Sequence, residues 1–239
     1  MLHSAKELKV KIFADGADLQ TMVSMSKKSF IKGLTTNPTL MRKAGVSDYK
    51  KFAKEVLEEI QDKPISFEVF SDELNEMVQQ AIEIASWGKN VNVKIPIMNS
   101  KGEETTEVVK ELSSMGIALN VTAIFTTEQV RNVINVLDEN ASAYISVFAG
   151  RIADTGRDPI PYLQDSLEIM GAKPKSELIW ASPRELLNVI QADAIGCHVI
   201  TATPDILNRL ETIGKDLSQY SLETVKMFRN DALRSNYFI

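Results

Sequence analysis

From residue 10 onward, short β-branched or apolar runs alternate with longer amphipathic stretches about eight times, each pair taking roughly 30 residues, the size of one βα unit. The alternation predicts strands at 10–15, 32–37, 65–70, 91–97, 117–124, 143–150, 177–182 and 197–203. Helix starts stand between them. Asp48 opens one, and Ser71-Asp72-Glu73 precedes Leu74, Met77, Val78, Ala81 and Ile82 at helical spacing. Thr126-Thr127-Glu128 precedes Val130, Val133, Ile134 and Leu137; Ser182-Pro183-Arg184-Glu185 has the form of a capping box; Thr203-Pro204-Asp205 joins a cap to Pro at the first turn. No Gly/Ser linker or charge block divides the 239 residues. The expectation is an α/β fold, a single (β/α)8 TIM barrel over residues 1–239, with 218–239 as an additional C-terminal helix and tail. An open doubly wound sheet is the alternative, but neither a G-x-G-x-x-G nor a Walker loop supports it.

The strand ends turn this fold toward function. Near the C-terminal end of almost every strand, one parity is polar: Asp15, Thr35 and Asn37, Ser66 and Glu68, Asn92 and Lys94, Asn120 and Thr122, Ser146, Ser182, Thr201 and Thr203. The other parity is apolar (Ile12, Leu34, Phe67, Val69, Val93, Ile95, Val121, Ile145, Val147) and is expected to face the helices. The polar set then converges in the barrel mouth, where active sites of this fold sit. Buried polar groups are costly unless paired or in use, so a full ring of them points to a site.

Composition narrows what that site acts on. Net charge is −5, and Lys and Arg are scattered without a basic run, which argues against nucleic acid or an anionic membrane as partner. A single cysteine, Cys197, excludes an intramolecular disulfide, and two histidines, His3 and His198, cannot build a His/Cys metal site. Cys197 and His198 lie in an apolar run and read as core. Residues 1–11 lack a signal-peptide core and no window approaches a membrane span, so a cytoplasmic protein is expected. The tail Tyr237-Phe238-Ile239 is expected to pack on its own barrel or on a neighbouring subunit, and a homo-oligomer is expected.

Lys94 is the residue with the least structural reason to be where it is. It shares the inward parity of a strand whose neighbours Val91, Val93, Ile95 and Ile97 are apolar. A solvated lysine guarding an edge strand is the alternative. Burial disfavours a charged amine, and a neutral amine attacks a ketone to form a Schiff base, an electron sink that allows the neighbouring carbon–carbon bond to break without metal or cofactor. Such a reaction needs a base for the hydroxyl proton and an acid for loss of water, tasks that suit Asp15 and Glu68. Asn37, Asn120 and Ser146 suit the hydroxyls of a polyol. Arg151 and Arg184, beyond the sixth and seventh strands, suit a phosphate bound bidentately.

Seven motifs resemble the transaldolases and the related fructose 6-phosphate aldolases, in family order: Phe13-Ala14-Asp15, Gly33-Leu34-Thr35-Thr36-Asn37-Pro38, Phe67-Glu68-Val69, Val93-Lys94-Ile95-Pro96, Leu119-Asn120-Val121-Thr122, Ser146-Val147-Phe148-Ala149-Gly150-Arg151-Ile152 and Ala181-Ser182-Pro183-Arg184. The resemblance implies that Lys94 forms the Schiff base, Asp15 is the acid/base for cleavage, and Glu68 with Thr122 positions a water. It further implies that Asn37, Asn120 and Ser146 hold the dihydroxyacetone unit, that Thr35 and Phe148 line its pocket, and that Arg151, Ser182 and Arg184 hold phosphate. Sugar phosphates are the implied small-molecule partners, with no cofactor and no metal. Glu68 and Phe148 match the transaldolases, where the aldolases have Gln and Tyr; Val147 and Pro183 depart from the more frequent proline and aromatic residue. Aldol cleavage by the same lysine is the alternative within enzymes. A non-catalytic sugar-phosphate-binding barrel would have no use for Lys94, Asp15 and Glu68 together.

Overall fold

The computed structural model describes residues 5–173 and 175–235; His3 and the tail Tyr237-Phe238-Ile239 lie outside them. Eight parallel strands close into a barrel in sequence order: β1 (Lys11–Asp15), β2 (Ile31–Thr35), β3 (Ile65–Glu68), β4 (Val91–Pro96), β5 (Leu119–Ile124), β6 (Ala143–Val147), β7 (Ser176–Trp180) and β8 (Val199–Ala202). β8 pairs with β1, so none of the strands is an edge. Lys94 is therefore not a solvated edge residue. Helices follow the strands and form the outer layer. Leu34, Phe67, Val93, Val121 and Ile145, each 0% exposed, face that layer and pack with helix residues such as Ala53, Val109 and Val133.

Every predicted strand is present, but several stop early for a local reason. β2 ends at Thr35 because Asn37 caps the helix Pro38–Lys43, its side chain accepting from the amide of Leu40 at 3.0 Å. β6 ends at Val147 because Ala149–Ala153 is already helical. The Asp48 and Thr126 starts form, the latter as a complete capping box with Gln129. The capping box at Ser182 does not. Ser182 takes φ 59°, Arg184 and Glu185 lie in a loop, and the helix is Leu187–Ala194. Thr203 is an N-cap without a side-chain bond, on the helix Pro204–Leu207.

A small apolar cluster of Phe13, Ile179, Ala181 and Val199, with Tyr144 and Phe148 against it, fills the barrel interior below the mouth. Gly33 makes room for it: a β-carbon there would stand 2.5 Å from the Phe13 ring. That plug closes the lower barrel and leaves the C-terminal end free for polar groups. The helix Leu217–Arg234 buries none of its residues, and Leu217, Val225, Phe228 and Leu233 are each at least 60% exposed.

Candidate active site

All twelve site residues picked from the sequence line one cavity of about 590 Å³ at the C-terminal mouth: Asp15, Thr35, Asn37, Glu68, Lys94, Asn120, Thr122, Ser146, Phe148, Arg151, Ser182 and Arg184. The volume falls in the usual range for a small-molecule site. Thr201 lines it as expected, whereas Thr203, at its helix cap, does not; Ser66 and Asn92 are buried but are not part of the wall. Lys43, unremarked in the sequence, adds a cation on the β2 side.

Register sets the centre of the site. Glu68 and Lys94 are partners across β3 and β4, and Lys94 and Asn120 across β4 and β5, so three polar side chains stand abreast. Lys94 is 6% exposed; its Nζ lies 3.0 Å from Glu68 Oε2 and donates to the Thr36 carbonyl at 2.9 Å. Lys94 is buried as expected, and its amine stands between a carboxylate and a backbone carbonyl that can each accept from it. Tyr49, which the sequence gave no sign of involving, donates from its hydroxyl to the Glu68 carbonyl at 2.9 Å and packs edge-on to Phe67 and Trp87. That anchors the end of β3 from outside the barrel.

Asp15 occupies the β1 wall. Burial pushes its carboxyl above the ordinary carboxylate range, against the opposing pull of Lys94 and a hydrogen bond from Thr35; the Glu68 charge adds to the rise. Thr35 Oγ1 donates to Asp15 Oδ1 at 2.8 Å and lies 2.5 Å from Thr201 Oγ1. A hydroxyl has one proton, so Thr201 is the donor to Thr35, and the chain of bonds is directional. Across the mouth, Ser146 Oγ donates to Asn120 Oδ1 at 2.7 Å and Asn120 Nδ2 donates to Ser66 Oγ at 3.0 Å. Thr122 Oγ1 is buried without a hydrogen-bond partner among the described residues, which suits it to a water or substrate atom.

The β6–β7 side carries the arginines. Arg184 makes a fork to Asp154, Nε to Oδ1 at 2.9 Å and Nη2 to Oδ2 at 2.5 Å, while Nη1 donates to the carbonyl and hydroxyl of Ser182 at 3.0 and 2.9 Å. The Arg184 hydrogen bonds hold the Asp154 carboxyl below the ordinary range, and Asp154 raises the guanidinium in return. Asp154 carries no local sequence signal, since only the fold brings it to Arg184. Arg151 lies with its guanidinium carbon 5.7 Å from the Phe148 ring centre. No helix starts at Ser182, so the helix-end anion site expected there is not formed.

Residues 12–236 match the family model described as Transaldolase/Fructose-6-phosphate aldolase. The probable transaldolase of Thermoanaerobacter sp. is 34% identical over 219 residues, covering 91% of this chain and 95% of the relative. That of Streptococcus agalactiae is 36% identical over 193 residues, covering 80% and 85%. Among solved structures, an aldolase superposes with a TM-score of 0.55 at 15% identity over 84% of this chain and 95% of that one. At that identity the superposition speaks to the fold alone. No helix among the described residues is long and apolar enough to cross a membrane.

Proposed function

This chain belongs to the transaldolase/fructose-6-phosphate aldolase family, and we propose that it is a transaldolase, moving a dihydroxyacetone unit from a ketose phosphate of the fructose 6-phosphate type to an aldose acceptor through a Schiff base on Lys94. The observation that carries this is the buried Lys94, paired with Glu68 and ringed by hydroxyls and amides in the only strand-end cavity that also holds Asp15 and two arginines among the described residues.

Glu68 takes the proton that Lys94 loses, and the freed amine adds to the ketone carbon. A water held between Glu68 and the unpartnered Thr122 hydroxyl carries protons as the carbinolamine loses water. The Asp15 carboxylate, whose affinity for a proton burial raises, accepts the proton of the C4 hydroxyl as the C3–C4 bond breaks and the first aldehyde leaves. An incoming aldehyde then receives the three-carbon unit by the same steps in reverse. Asn120 and Ser146 hold that unit's hydroxyls. Asn37 takes part through its Nδ2 alone, because its Oδ1 already caps a helix. Arg184, Ser182 and Arg151 hold the phosphate.

Glu68 and Phe148 favour transfer over free cleavage. A phenyl ring has no proton to give the bound carbanion, which then waits for an aldehyde. The lone, buried Cys197 suits a cytoplasmic enzyme of sugar-phosphate metabolism, such as the pentose phosphate pathway. Borohydride trapping with fructose 6-phosphate, followed by peptide mapping, tests the proposal. A reduced adduct on Lys94, absent from Lys94→Ala and removed by an aldose added before reduction, is expected; no adduct with any ketose phosphate would overturn it.

A further inference from the structure

Two non-glycine residues among those described have φ in the left-handed region, Ala123 at 58° and Ser182 at 59°, and both line the catalytic cavity. Strain of this kind persists where the surroundings impose it, so its consequence at Ala123 is informative. The β5–β6 register runs Val121 to Ile145 and then Ile124 to Val147, three steps on one strand against two on the other. Ala123 is thus the extra residue of a β-bulge. Asn120 and Thr122 point into the barrel, and unbroken alternation would send Ile124 inward and Phe125 out to the helices. With the bulge, Ile124 is 0% exposed in the outer core and Phe125 joins the cavity wall.

There Phe125 stands beside Phe148, ring centres 5.8 Å apart and planes inclined at 40°. Their backbones are tied. The Phe148 amide donates to the Ile124 carbonyl at 2.8 Å, and the Phe125 amide donates to Gln129 Oε1, also at 2.8 Å. Phe125 remains 36% exposed, the outer of the two aromatic rings in the cavity wall.

We propose that Phe125 is a specificity-determining residue that keeps solvent from the bound three-carbon unit, and that the Ala123 bulge exists to aim it there. The inference rests on the transaldolase reading. Loss of the unit to solvent takes a proton from water onto the nucleophilic enamine carbon, then adds water to the imine carbon, breaks its bond to Lys94 Nζ and releases dihydroxyacetone. An apolar ring in the cavity wall slows the first of these steps by keeping water from the enamine carbon.

The test compares dihydroxyacetone released with unit transferred, using fructose 6-phosphate with and without erythrose 4-phosphate. Phe125→Ala is expected to raise the ratio of release to transfer at least several-fold, with Phe125→Leu between it and the unmutated protein. Ala123→Gly, which adopts the same backbone freely, is expected to keep the ratio. A Phe125→Ala protein that loses both rates in proportion would show that the ring only packs, and would overturn the inference alone. An unmutated protein that neither transfers nor forms the Lys94 adduct would overturn the transaldolase reading and this inference with it.

Discussion

Lys94 Nζ stands 3.0 Å from Glu68 Oε2, and the two residues are register partners on adjacent strands, so the barrel holds their backbones abreast. The lysine is protected from water and yet beside its own proton acceptor. Glu68→Gln keeps a polar group at Lys94 but removes the acceptor. Adduct formation should slow by about 10²-fold, the low end of what a positioned general base contributes. Stopped-flow trapping with borohydride would measure it, and an unchanged rate would assign the proton to another group.

Asp15 ties activity to stability through pH. Its folded-state carboxyl holds its proton more tightly than an ordinary aspartate at 3.8, because burial penalises the charged form. Below the ordinary value it is protonated in folded and unfolded chains alike and its burial costs least. As pH rises through that value and on to the raised one, the unfolded chain ionises first, and this contribution to stability is lost. Asp15→Asn should therefore raise the melting temperature at neutral pH, with the advantage shrinking as pH falls toward the ordinary value. The same variant should still form the Lys94 adduct but fail to cleave it. A melting temperature that falls at neutral pH would contradict the sign.

The barrel and the ring of polar strand ends were legible because both follow from period-two alternation, which closure of the sheet enforces. Lys94, Asp15 and Glu68 could be placed in one cavity from parity alone. Ser182 could not. Its S-x-x-E pattern is an ordinary helix start, but the chain instead enters a left-handed turn that lets Arg184 reach Asp154. Phe125 was equally hidden, since a bulge that inverts parity at Ala123 leaves no periodic trace. Tyr49 and Asp154 act on site residues from distant elements, and only tertiary packing chooses such partners.

Arg184 is part-exposed, so its pair with Asp154 is screened and stabilises the fold little. Its value is positional, because the fork fixes the guanidinium plane. Asp154→Asn should raise the donor KM several-fold with kcat nearly unchanged, and Arg184→Lys should raise it further, since a point charge cannot replace the fork. Steady-state kinetics on fructose 6-phosphate separates the two constants. A fall in kcat at constant KM would place Asp154 in the chemistry and not in binding.

Phe148→Tyr places a hydroxyl where the carbanionic unit is held. Release of free dihydroxyacetone should rise relative to transfer, because the phenol supplies the proton that the phenyl ring withholds. A coupled assay for dihydroxyacetone without acceptor reads the change, and a constant ratio of cleavage to transfer counts against the role given to this ring.

Gly150 is where the helix that carries Arg151 touches the loop that carries Arg184. A β-carbon there would lie 1.6 Å from the Ser182 carbonyl oxygen, an overlap that the flexible Arg184 side chain cannot relieve because the clash is with backbone. The Gly150 amide already leans on the neighbouring carbonyl of Ala181 at 3.4 Å. Gly150→Ala must push the helix after β6 and the loop after β7 apart, at a cost of about 1–3 kcal/mol typical of overpacking. Because Ser182 carries two of the Arg184 contacts, the displacement should also raise the donor KM. Chemical denaturation and steady-state kinetics on the same protein give both numbers. A variant that loses stability but keeps its KM would show that the Ser182 turn holds Arg184 in place without help from the Gly150 contact.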